Sequence, residues 1–264
     1  MSSIAALIQK EKSARLKIYT LGDFKVILDG RTLSNKDWGR DKSIQLMQFF
    51  ITARDRHALH KEQIATRIWE DVDDIDRDFK VALHGVNKAL EPNRKRGEES
   101  AFIKRNGQSY QLVLKEIYLD AEAFDQAIKI SNALITSDVE EGAEALRFAV
   151  DLYQGSYLPN RIYEDWTSME RERLQLLGIN AMIALGEWYL ESNPNESLRL
   201  AQNVLQIDHA WEEAYRLQMK AYQVKQNRPQ VIKTYRLCEQ VLEEEFGIEP
   251  LPETRKLLQN VMAT

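Results

Sequence analysis

The apolar residues of this chain change their spacing once, near residue 115, and that change constrains the fold more than any motif. Before it, runs that alternate every second residue stand beside runs spaced by three and four. From about Asp120 onward only the three-and-four spacing remains. Period two belongs to half-buried strands and period 3.6 to amphipathic helices. The spacing predicts a mixed first part, residues 1–115, with its ordered core from about residue 15, and an all-helical second part, residues 116–264. Charge divides at the same place. Residues 1–115 carry 22 Lys and Arg against 16 Asp and Glu, a balance of +6, and the remainder carries 14 against 25, or −11, giving the net −5. A basic part joined to an acidic part suggests two domains with different partners. Alone, +6 over such a length is an ordinary value.

The 264 residues are 44% hydrophobic and 29% charged, which is a globular composition. No window approaches about 18 consecutive apolar residues, so no membrane span is expected. "MSSIAALIQKEKSARLKIY" has neither the leading basic region nor the long apolar core of a secretory signal. The only cysteine is Cys238, so no intrachain disulfide can form, and a reducing, cytoplasmic setting is expected.

In the first part, Leu16, Ile18 and Thr20 alternate with Lys17 and Tyr19, and Phe24, Val26 and Leu28 alternate with Lys25 and Ile27. Leu21–Asp23 and Asp29-Gly30 are turn signals, and Asp-Gly between apolar runs is a strong hairpin cue. Three short antiparallel strands ending near Leu33 are predicted. "RDKSIQLMQFFITAR" then carries a helical stripe, Ile44, Met47, Phe50 and Ile51. "HKEQIATRIWED" places Ile64, Ile68 and Trp69 on a shorter second helix. After "DVDDID", a loop with N-cap aspartates, "DRDFKVALHGVNKALEP" makes a third helix whose apolar face is Phe79, Leu83, Val86 and Leu90. A polar connection, "EPNRKRGEES", leads to a hairpin of Phe102 and Ile103, a turn at Asn106-Gly107, then Tyr110, Leu112 and Leu114. Strands, three helices and a hairpin, in that order, describe a winged helix-turn-helix with the hairpin as its wing.

The third helix has a second face. Arg77, Lys80 or Val81, His84, and Asn87 or Lys88 are three or four residues apart and form one stripe opposite the apolar face. These side chains suit duplex DNA: Asn pairs with adenine, Arg or Lys with guanine, and Val81 can touch a thymine methyl in the major groove. The bland reading is a solvated face, and the order of elements around it favours the functional one. Lys104 and Arg105 stand before the wing turn, within reach of a groove or backbone; the bland reading there is edge protection by charge. Arg40 and Lys42 sit at the start of the first helix, where free N–H groups favour a phosphate. Trp38, under the sheet, and Trp69 read as core anchors. In the acidic loop, Asp71, Asp73 and Asp74 would repel DNA and should project away from it.

The second part reads as seven helices: "AEAFDQAIKISNAL", "EEGAEALRFAVDLY", "EDWTSMERERLQLLGINAMIALGEWYL", "NESLRLAQNVLQ", "AWEEAYRLQMKAYQVK", "RPQVIKTYRLCEQVLEEEF" and "PETRKLLQNVM". Several of their connections are short, which makes neighbours antiparallel. An echo at an offset of 33 relates Ala181 to Ala214, Tyr189 to Tyr222, Leu198 to Val231 and Leu205 to Cys238, close to the 34-residue tetratricopeptide period. The predicted fold class is an α+β winged helix-turn-helix domain followed by an all-α, tetratricopeptide-like domain. "YQGSYLPNRIYEDW", with its Gly and Pro, reads as a loop over the helices. Tyr153, Tyr157, Trp166, Trp188 and Tyr222 read as packing. Enzymatic motifs are lacking: no P-loop, GxGxxG after a strand, HExxH or CxxC occurs. His57, His60, His84 and His209 are scattered, so no catalytic residue, metal or cofactor is expected.

Taken in order, "LKIYTLGDFKVILDG", "QIATRIWEDVD", "FKVALHGVNKALEP", "FIKRNGQSYQL", "LDAEAFDQAI", "ALRFAVDLYQGSYLP", "EDWTSMERERL", "EEAYRLQMKAYQ" and "VIKTYRLCEQVLEEEFGIEP" resemble the Streptomyces antibiotic regulatory protein family. Its members join a winged helix to a helical bacterial transcriptional activator domain, and the resemblance covers nearly the whole chain. It implies a regulator, an activator that binds promoter repeats in double-stranded DNA and recruits RNA polymerase. It further implies Asp71, Asp73 and Asp74 as polymerase contacts, with N-capping and solubility as their equal alternative, and dimerisation, regulation or docking by the helical domain. Many members carry arginines where this chain has Gly85, Asn87 and Lys88, which bears on the sequence read. Gly85 would allow close approach to the DNA backbone or to a packing partner. The competing reading is a protein-interaction adaptor or effector-sensing module whose winged helix does not read DNA by itself.

Overall fold

Asp29 and Gly30 take positive φ, +47° and +82°, the left-handed pair that a two-residue hairpin needs. In the computed structural model, which describes residues 3–54, 58–69, 74–95, 97–134 and 137–263, the expected strands β1 (Leu16–Tyr19), β2 (Lys25–Leu28) and β3 (Arg31–Thr32) follow one another antiparallel, with Leu16 opposite Leu28 and Ile27 opposite Thr32. Ahead of them lies a helix the periodicity does not announce, α1 (Ser3–Ser13). Eleven residues make a marginal helix in isolation; this one buries Ile4 and Leu7, and its Glu11 accepts from the Tyr19 hydroxyl at 2.8 Å.

A short helix α2 (Asn35–Trp38), capped by Ser34 and Asp37, leads to α3 (Asp41–Thr52). Then come β4 (Leu59–His60), α4 (Lys61–Ile68) and α5 (Ile75–Leu90), followed by the wing strands β5 (Ile103–Asn106) and β6 (Ser109–Leu112). β5 pairs with β6 around Asn106 and Ser109, and β6 also pairs with β4. The core between them is apolar: Leu46, Met47, Phe50 and Ile51 of α3, Ile64 and Ile68 of α4, and Phe79, Ala82, Val86, Ala89 and Leu90 of α5. Phe79 meets Tyr110 at 4.9 Å and Trp69 at 6.4 Å between ring centroids. Leu83, expected on this face, is only half-buried, while Ala82 and Ala89 take core positions. A methyl group takes little room, so two alanines let the helix sit close to its support.

A strand the sequence reading lacks, β7 (Ile117–Leu119), lies parallel to β1 and completes a four-stranded sheet of order β3-β2-β1-β7. All three of its residues are buried. It is too short to alternate, and it runs directly into α6 (Asp120–Leu134), whose pattern absorbs it. Asp120 fixes the junction. Its buried carboxylate accepts from Thr20 N at 2.6 Å, Thr20 Oγ1 at 2.7 Å, Leu21 N at 2.9 Å and Ala121 N at 2.7 Å. Burial pushes this group above the ordinary carboxylate range, and the four donors oppose that push.

The remaining elements are helical: α7 (Val139–Leu152), α8 (Asp165–Tyr189), α9 (Pro194–Ile207), α10 (Glu212–Val224), α11 (Arg228–Phe246) and α12 (Pro252–Ala263). By compactness the chain divides into Met1–Gln126 with Leu152–Gln175, and Ala127–Asp151 with Leu176–Thr264. In the second unit the helix pairs stack as a tetratricopeptide-like array. Ala181, Ala214, Val231 and Cys238, all positions of the 33-residue echo, are buried. Gly186 allows close contact with α10, since a Cβ there would stand 2.4 Å from Leu217 Cδ2. The Ser197 hydroxyl donates to the Gly186 carbonyl at 2.7 Å. Asn193 and Asn227 cap α9 and α11 in the same way, each accepting from the backbone three residues on.

The fold class is thus an α+β winged helix followed by an all-α array. Residues 153–164 do more than loop over helices. Ser156 and Leu158 bond the backbone at Gly22 and Thr20, and Tyr157 and Leu158 are fully buried.

Candidate nucleic-acid interface

Helix α5 starts where Asp74 caps it, the carboxylate accepting from Arg77 N at 3.0 Å. Asp74 therefore performs the capping role that was its alternative to polymerase contact; Asp71 and Asp73 lie outside the described residues. At 3.6 residues per turn, Arg77, Val81, His84 and Lys88 fall on one outward line, spaced by four, three and four. All four are exposed, Val81 at 38%. The side chains of Arg77, His84 and Lys88 make no hydrogen bond or ion pair among the described residues, so their donors point to solvent.

The spacing alone left Lys80 or Val81, and Asn87 or Lys88, on that line. The structure puts Lys80 and Asn87 on one flank. Lys80 stands 3.8 Å from Asp76, which also pairs with Lys61. Those two cations, Lys61 first, hold the Asp76 carboxyl below its ordinary range. Asn87 is half-buried, and its Oδ1 is enclosed without a hydrogen-bond partner. The other flank carries Gly85. A Cβ there would lie 2.2 Å from Ser43 Oγ, 2.9 Å from Ser43 Cβ and 2.9 Å from the Trp38 carbonyl oxygen. Of the two uses foreseen for this glycine, close packing is the one observed: α5 presses onto the α2–α3 junction.

The wing stands beside the helix. Lys104 is exposed, and its ammonium has no partner among the described residues. Arg105 is exposed too, but its Nε donates to the Gly107 carbonyl at 2.8 Å and its guanidinium lies 5.8 Å from the Tyr110 ring centre. Between α5 and the wing runs a groove of about 430 Å³ lined by Leu83, Asn87, Arg94, Ser100, Lys104 and Tyr110, among others. Glu91 fixes the wing's root by accepting from Ser100 Oγ at 2.6 Å and Ala101 N at 2.8 Å. Arg94 and Lys95 bring two further cations to the same side, and a second hollow there joins them to His84 and Lys88. Neither stands out in "EPNRKRGEES" read as a polar connection, although the run of basic residues there is a signal for them.

The start of α3 is arranged differently. Lys42 donates to the Ile68 carbonyl at 2.7 Å, completing the C-terminal end of α4, and stacks 5.8 Å from Trp69. Arg40 is exposed at the rim of a hollow that also includes Asp23, Asn35 and Asp41. Asp41 sits on the first turn, paired with Arg161. Trp38 and Trp69 are buried, as core anchors should be. No group of three or more His, Cys, Asp or Glu able to hold a metal occurs among the described residues, and no helix there is long and apolar enough to cross a membrane.

The last helix of the winged helix-turn-helix thus carries an outward line of unpaired donors, with a basic wing beside it. Residues 119–262, more than half of the chain, match the family model described as the bacterial transcriptional activator domain, and the chain belongs to that family of transcriptional regulators. This agrees with the resemblance to the Streptomyces antibiotic regulatory proteins. Among solved structures, the chain is similar in fold to Mycobacterium tuberculosis EmbR, determined in complex with a low-affinity phosphopeptide. The TM-score is 0.78 at 15% identity, with 95% of this chain and 65% of that one covered. This chain thus spans just under two thirds of the length of that structure. No curated protein matches it.

Proposed function

We propose that the protein is a sequence-specific, double-stranded-DNA-binding activator of transcription that inserts α5 into a major groove and lays the wing along the adjoining backbone. The observation that carries this reading is the exposed, unpaired line Arg77, Val81, His84 and Lys88. Paired cations would have to break bonds before touching DNA, and these do not. Arg77, His84 and Lys88 supply donors for base edges, and Val81 supplies an apolar contact for a thymine methyl. Lys104, with Lys95 and the Glu91-paired Arg94 on the same side and Arg40 at the start of α3, supplies phosphate contacts that fix the register without reading sequence. Arg105, Lys42, Lys80 and Asn87 shape the flanks. The family supports recruitment of RNA polymerase as the outcome of binding. Binding to promoter repeats would bring two copies of the chain side by side.

The test is selection of duplex fragments by the purified chain across a salt titration. A repeated motif that survives near-physiological salt supports the reading. Binding that ignores sequence and vanishes with salt favours an adaptor. On the selected site, His84→Ala should cost about 1–3 kcal/mol and relax the preference at one position. Lys104→Ala should weaken all duplexes alike and lower the salt slope by about 1. Equal effects of both changes on selected and random DNA would sink the division between reading and positioning.

A further inference from the structure

Helix α3 carries buried polar side chains on the side that faces residues 157–170, within the same compact unit. Unpaired, such groups would cost the fold dearly. Here each is answered. Gln45 Nε2 donates to Glu164 Oε1 at 2.7 Å. The Thr52 and Tyr157 hydroxyls lie 2.8 Å apart. Arg161 does the most: its Nε donates to Gln48 Oε1 at 2.8 Å, and its two terminal nitrogens grip the Asp41 carboxylate at 2.9 and 2.5 Å. Asp41 and Gln48 are two turns apart, so Arg161 fixes both the start of α3 and its middle.

The start of α3 is also where α5 rests. Gly85 brings the outward-reading helix against Ser43 and the Trp38 carbonyl with no space to spare. Close-packed contacts transmit displacement, because a neighbour that moves leaves either a clash or a gap. Residues 157–161, α3 and α5 therefore form one chain of contacts in which each member sets the position of the next.

We propose that Arg161 and Tyr157 are positioning residues for DNA reading: through α3 they set the pose in which α5 presents Arg77, His84 and Lys88. The inference rests on the reading of α5 as the DNA-contacting helix. Base-edge hydrogen bonds depend steeply on distance and angle, whereas contacts to the phosphate backbone tolerate displacement. A shifted α5 should lose discrimination before it loses affinity.

The experiment uses the full chain, its selected duplex and a scrambled duplex of equal length, at one salt concentration, with thermal unfolding recorded in parallel. Arg161→Ala should lower the ratio of selected to scrambled affinity by about tenfold while the scrambled duplex binds as before. Arg161→Lys keeps the charge without the two-pronged grip and should recover part of that ratio. Tyr157→Phe, which removes one hydroxyl, should lower the ratio less, and it keeps the test open if Arg161→Ala does not fold. Unchanged ratios in the folded variants, with only the melting temperature lowered, would overturn the inference and leave the DNA reading intact. A wild-type chain with no preferred duplex would overturn both.

Discussion

At Gly85 one missing methyl group decides how near two helices come. Replacing it with alanine should gain about 1 kcal/mol of helix propensity. The new Cβ, however, would meet Ser43 and a backbone carbonyl well inside contact distance, and overpacking of that kind costs about 1–3 kcal/mol. We expect Gly85→Ala to destabilise the chain in denaturant unfolding, and to do so less when Ser43 is already glycine. A stabilised Gly85→Ala variant would show that the helices separate freely. The residue also shows where sequence reading stops. Period and propensity mark Gly85 as a weak point in a helix, but they carry no information about what stands opposite it. The same holds for Lys42, an exposed basic residue in sequence terms that is bonded by the Ile68 carbonyl, twenty-six residues away, which spacing cannot locate.

Among elements, α3 is the one whose surroundings matter most. Its apolar stripe was legible because it obeys one period. Its polar side was not, because the partners lie more than a hundred residues away, at 157–170. Arg54, just beyond its C-terminal end, has a fully buried side chain and reaches Glu170 at 2.7 Å; Arg173 bonds the same carboxylate at 2.8 Å. Burial alone would push Glu170 up, but the guanidinium groups of Arg173 and Arg54 outweigh it and hold the carboxyl below its ordinary range. A depressed carboxylate contributes stability that is present above the unfolded-state pKa and lost as pH falls through the folded one. Glu170→Gln should therefore cost about 1–3 kcal/mol near neutral pH, since Arg54 loses its nearest carboxylate while Glu122 and Asp125 stay at 3.5 Å. The gap from wild type should close as unfolding is repeated below about pH 4, where glutamate is protonated in the unfolded chain. A gap independent of pH would mean that shape, not charge, is what Glu170 supplies. The elements α1 and β7 escaped the sequence for other reasons: the apolar residues of α1, Ile4 to Ile8, run consecutively rather than at three-and-four spacing, and the three residues of β7 are too few to establish a period.

For the whole molecule, the order of elements was the most legible property, since strands, three helices, a hairpin and seven further helices each follow a local period. The composition of the compact units was not. Residues 152–175 belong with Met1–Gln126, a fact carried entirely by distant contacts such as those of Tyr157 and Arg161. A fragment ending at Lys115 would lack β7, the Asp120 carboxylate, the Glu164, Asn160 and Arg161 side chains that answer Gln45 and Gln48, and the Glu122, Asp125 and Glu170 carboxylates around Arg54. We expect such a fragment to show no cooperative thermal transition by circular dichroism, and the full chain to show one. A fragment that melts as sharply as the full chain would place the stability of the winged helix in residues 1–115 alone.

The bonds from Thr20 to Asp120 join residues one hundred positions apart, and that distance has a meaning during synthesis. At roughly 5–20 residues per second, a ribosome needs about 5–20 s to make the interval. Throughout it, the β1 edge that will receive β7 waits unpaired, and α3 waits longer still for Tyr157 and Arg161. Open strand edges are where nascent chains stick to one another. The yield of this protein in a cell should accordingly follow the supply of chaperones and the pace of translation across the codons for residues 20–175.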